Sequence, residues 1–180
     1  SFCRLHSTRQ WLRDSARGLA AGVADIGGVA GVGALLEQLP GQLEDLAVGL
    51  EAAEDAVAAL LAEEDARTGR EAERLRFPHG VVPASLVPLA GTLAAGFGRL
   101  ASSLARLEGY LEDELENGDR EAVEPWHLAV AGMRGRAENT LALWQDYAMP
   151  DPEGPPPRAR WISRARASAG GPVGHDLLCS

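Results

Sequence analysis

LVPLAGTLAAGFGRLASSLARLEGYLEDEL, running from Leu86 to Leu115, decides the fold class. Its apolar residues Leu86, Leu89, Leu93, Phe97, Leu100, Leu104, Leu107, Leu111 and Leu115 recur at spacings of three and four. That period lines one face of an α-helix, whereas a half-buried strand would alternate. At 1.5 Å per residue the stretch makes a helix of about 45 Å.

The same period extends outward in both directions. Upstream, Leu39, Leu43, Leu46, Leu50, Ala53, Val57 and Leu60 form a second stripe. Downstream, Val123, Trp126, Val130, Met133, Ala137, Leu141 and Trp144 form a third, and a weaker one opens the chain at Leu5, Leu12, Leu19, Val23 and Ile26. Pro40 and Pro83 suit the first turn of a helix, where a missing N–H costs nothing. Asn117-Gly118-Asp119 offers a left-handed stop followed by an N-cap acid, and Phe77–Pro83 breaks the chain between the two longest stripes. After Met149, the run Pro150-Asp151-Pro152-Glu153-Gly154-Pro155-Pro156-Pro157 ends helical structure. The expected fold is all-α: an antiparallel four-helix bundle over 1–149, with helices at about 4–26, 38–73, 84–116 and 120–148. An irregular basic extension, a Pro-rich linker and return segment, follows over 150–180.

Composition narrows the chemistry. The 180 residues carry a formal net charge of −9, and all 17 basic residues are arginine. Without lysine there is no P-loop lysine, Schiff base or lysine general base. Cys3 and Cys179 stand at opposite ends and read as free thiols in a reducing, cytoplasmic setting. The Gly/Ala-rich stretch Gly18–Leu36 contains Asp25 and reads as a helix fraying into a glycine joint rather than a membrane span. Both chain ends look cut, so the sequence reads as an internal piece of a longer protein.

Charge is arranged in blocks. Residues 37–75 sum to −8 and 108–124 to −7, whereas 158–180 sum to +3 and the first 36 to +2. The acidic blocks would repel a polyanion. Glu124-Pro125-Trp126-His127 has the Glu-x-x-His spacing of di-iron bundles, but that chemistry needs two such motifs and further carboxylates. A surface or half-buried histidine explains His127 better, and no metal is expected. Ser102-Ser103 has no His or Asp at triad spacing, so no catalytic residue is assigned. The remaining candidate is Arg158-Ala159-Arg160-Trp161-Ile162-Ser163-Arg164-Ala165-Arg166. Arg158, Arg160, Arg164 and Arg166 could contact phosphates while Trp161 stacks a base. The opposing reading is a basic strand whose Trp161 packs inward.

Taken in order, a helical region broken by Arg76–Pro83, the long leucine stripe, an acidic turn, a helix ending near Trp144 and Pro157-Arg158-Ala159-Arg160-Trp161-Ile162 resemble the arch insertion of DinG-type ATP-dependent DNA helicases, relatives of the XPD helicases. The resemblance implies a parent superfamily 2 helicase, cytoplasmic and active in DNA repair, that hydrolyses ATP with Mg and moves 5′ to 3′ on single-stranded DNA. The arch would join the adjoining motor domain of the same chain and help frame the single-strand path. Cluster-bearing members carry an iron–sulfur cluster on four cysteines upstream of the arch, which Cys3 and Cys179 do not supply. This segment lacks the DEAH box and the Walker lysine, so it would bind no cofactor and hydrolyse no ATP itself. The competing expectation is a free-standing helical-bundle interaction or dimerisation module. Neither reading involves a membrane.

Overall fold

The computed structural model describes residues 2–149, 159–165 and 174–179. Among these residues the protein is mostly helical, with five α-helices and, at one end of them, a four-stranded antiparallel sheet. The elements are β1 (Phe2–Arg4), α1 (Leu5–Ala21), α2 (Val23–Ile26), α3 (Gly33–Thr68), β2 (Arg74–Arg76), α4 (Val87–Asn117), α5 (Arg120–Ala148), β3 (Arg160–Ala165) and β4 (Gly174–Cys179). A single 3₁₀ turn at Pro78–Gly80 lies between β2 and α4.

The stripes are the core. Leu93, Phe97, Leu100, Leu104, Leu107 and Leu111 of α4 are buried. They face buried Leu39, Leu43, Leu46 and Leu50 of α3 and Val123, Val130 and Trp144 of α5. Each such side chain removed from water contributes about 1.5–3 kcal/mol. Polar contacts link the helices. Arg9 and Arg13 of α1 meet Glu51 and Glu54 of α3. Gln42 of α3 donates to Ser103 Oγ of α4 at 3.3 Å, and Arg134 of α5 pairs with Glu108 of α4 at 2.6 Å. The Arg136 guanidinium of α5 lies 4.6 Å from the centre of the Trp11 ring of α1. Burial holds that guanidinium below its ordinary pKa.

Four helix boundaries differ from expectation. The first helix breaks at Gly22, where the Trp126 ring stands 2.2–2.7 Å from where a Cβ would be and leaves no room for a side chain. In the turn that follows, Val23 is half exposed while Ile26 is buried. The α3 helix begins at Gly33 rather than near 38, so Pro40 lies inside it and withholds an N–H from the Leu36 carbonyl. It stops at the left-handed Gly69 (φ 68°), five residues before β2. The α4 helix begins at Val87, with Pro88 in its first turn. The joint to α5 stands where expected, with Asp119 accepting from the Ala122 N–H at 3.3 Å. Gly118, however, is not left-handed there (φ −135°).

The larger correction is the sheet. The C-terminal extension is irregular neither at 160–165 nor at 174–179; the Pro-rich linker lies outside the described residues. Strand order is β1-β4-β3-β2, every neighbouring pair antiparallel. Register pairs Phe2 with Leu178, Trp161 with both Leu178 and Arg76, and Ser163 with both Asp176 and Arg74. Tyr147 of α5 anchors the sheet by donating its hydroxyl to the Trp161 carbonyl at 3.0 Å. Its ring meets Phe77 edge-on at 6.2 Å. Among the described residues, no helix is long and apolar enough to cross a membrane.

Candidate nucleic-acid interface

A strand sends successive side chains to opposite sides, so β3 divides its residues into two sets. Arg160, Ile162 and Arg164 face the helices. Ile162 is fully buried and Arg160 is only 4% exposed. Arg160 Nη1 donates to the Gly80 carbonyl at 2.9 Å, fastening β3 to the Pro78–Gly80 turn. Arg164 reaches the end of α3, donating to Asp65 Oδ2 at 2.6 Å and to the Ala72 carbonyl at 3.0 Å. Glu71 stands 3.2 Å from the same guanidinium. The Arg164 hydrogen bond, helped by the Ala72 N–H, holds the Asp65 carboxyl below its ordinary pKa. Asp65 in turn raises that of Arg164. Both arginines are therefore engaged inside the chain. Arg158 and Arg166 lie outside the described residues.

Trp161 and Ser163 occupy the other side of β3, away from the helices. Trp161 is half-buried, and the Arg74 guanidinium sits 5.5 Å from its ring centre. Cross-strand partners share a face, so Arg74 and Arg76 of β2 stand on this side with Trp161. Both arginines are exposed, and Leu75 between them turns toward the core. Beside Arg76 opens a cleft of about 330 Å³, lined by Arg76, Phe77, Pro78, His79, Gly80 and Ala159. His79 holds a left-handed conformation (φ 54°, ψ 17°) that non-glycine residues seldom adopt.

Sequence reasoning singled out Trp161 but assigned no contact to Arg74, which was counted in the acidic stretch 37–75, or to Arg76, which was read only as the start of the break Arg76–Pro83. The alternation Arg74-Leu75-Arg76 was the available signal, and three residues are too few to announce a strand. The Glu124–His127 spacing is not the contact that His127 makes in the group of possible metal ligands. His127 Nε2 instead lies 3.4 Å from Glu112 of α4, with Glu108 nearby. Those three groups could hold a cation, yet Arg134 already neutralises Glu108. No protein-family model matches the chain, and no curated protein matches it at a significant level.

Proposed function

We propose that this chain is the arch-like insertion of a DinG-type ATP-dependent DNA helicase, in which four of its helices close as an antiparallel bundle and help frame the path of single-stranded DNA. The observation that supports it is the pairing of β1 with β4. A segment inserted into a host domain needs its entry and exit strands side by side, and Phe2 opposite Leu178 meets that need. The helices then project from this base, and the acidic residues 112–124 gather at the far end, where the joint between α4 and α5 lies. ATP and Mg would bind the adjoining motor domain and not this segment, which serves a shaping role in the cytoplasmic parent.

The test is the coding sequence on either side together with the activity of the full-length protein. A DEAH box upstream, a Ser-Ala-Thr motif downstream and ATP-dependent unwinding of a 5′-tailed duplex are expected. Flanks without helicase motifs would end this reading.

A further inference from the structure

We propose that single-stranded DNA is contacted by the outer face of the sheet, through Arg74, Arg76, His79 and Trp161, and not by the arginines of β3. The inference rests on the reading that the chain handles single-stranded DNA, and it names the surface that does so. Arg160 and Arg164 would have to abandon the Gly80 carbonyl and Asp65 to reach a phosphate. Arg74 and Arg76 face no such competition: among the described residues neither pairs with a carboxylate, and both are exposed.

Their arrangement suits a polynucleotide. Same-side residues two apart in a strand are separated by about 6.6 Å, so successive guanidinium groups can follow a chain of phosphates. Arg74 lies over Trp161. A base can therefore stack on the guanidinium plane, or on the ring if Arg74 swings aside to a phosphate. At the end of β2 the cleft beside Arg76 brings in His79 and contains no acidic lining residue. Arg160 acts here as a positioning residue, since its bond to Gly80 fixes the strained turn that carries His79. By backbone register Asp176 stands in the row Arg4–Asp176–Ser163–Arg74, two strands away from Arg74.

The experiment uses the full chain and a fluorescently labelled oligo-dT, with anisotropy followed across a salt series. Single-stranded binding should lose a slope of about 0.7 per phosphate contact removed, so R74A/R76A should flatten the plot by about 1.4. At low salt the same variant should bind roughly tenfold more weakly. An R106A/R120A variant, which removes the same charge from exposed sites on α4 and α5, should bind as wild type. Oligonucleotide should quench tryptophan emission in the wild type and not in W161F. Because W161L would disturb the sheet, W161F with matched circular dichroism is the informative change. An unaltered slope in R74A/R76A, an equal loss in R106A/R120A, or no binding by the wild type would overturn the proposal. None of these readouts depends on the flanking motifs, so the helicase reading and this surface can fail separately.

Discussion

The two ends of the helices solve opposite problems. At the sheet end, the chain crosses between elements through strands and a strained turn, and buried or part-buried polar groups hold the joints: Arg160 on Gly80, Arg164 on Asp65, Tyr147 on the Trp161 carbonyl. At the far end, aromatic rings close over glycines. Trp126 presses on Gly22, and Tyr110 stands 2.7 Å from where a Gly31 Cβ would be. Trp126 adds one polar tie, from its indole N–H to Asp25 at 3.2 Å. One end is fixed by directional bonds, the other by the absence of side chains. The sheet end should accordingly respond to pH and charge, and the far end to volume.

Volume should give the largest effect. Gly31 has φ 84°, so Gly31→Ala meets both the left-handed penalty and the Tyr110 ring. A loss of about 3 kcal/mol in urea unfolding is expected from strain and overpacking together. A loss under about 1 kcal/mol would show that the far end yields easily, and the contrast would dissolve. Next comes Arg160→Met, which keeps much of the side-chain volume but leaves the Gly80 carbonyl without its donor. It should cost about 2 kcal/mol by the same measurement. A neutral result would mean that the sheet end is held by apolar packing as well.

The smallest effect is a dependence on pH. Asp65 has its pKa lowered from 3.8, chiefly by the Arg164 hydrogen bond. A carboxyl whose folded pKa is depressed adds stability above its unfolded value, and that stability is lost as pH falls through the folded value. The wild type should therefore lose more melting temperature below about pH 4 than Asp65→Asn does. Parallel curves for the two proteins would remove Asp65 from the account. Since the pair is only part-buried, the difference should be small.

How far the sequence could be read follows from the same contrast. A helix repeats its period over many turns, so α4 and α5 declared themselves through nine and seven stripe residues. The Asp119 cap was equally plain. The strands β1 and β2 have three residues each, too few for any period to accumulate. Their partners are distant in sequence, and only tertiary pairing makes them strands. For the candidate site, summing charge over a window concealed direction. Arg74 was counted with acids on α3, whereas the fold sets it against Trp161. In Arg160–Arg164 the arginines were visible and their inward side was not, because that depends on recognising a two-residue alternation.

The pairing of β1 with β4 also orders events in time. Closing a loop becomes more costly as the chain between its ends lengthens. The α4–α5 hairpin, joined across Gly118 and Asp119, can assemble from neighbouring residues as soon as both helices exist. Phe2 must instead wait for Leu178, so the sheet completes only after its last strand has been synthesised. Until then β1 has an unpaired edge, and it is during this interval that the nascent chain is most open to pairing with another copy of itself.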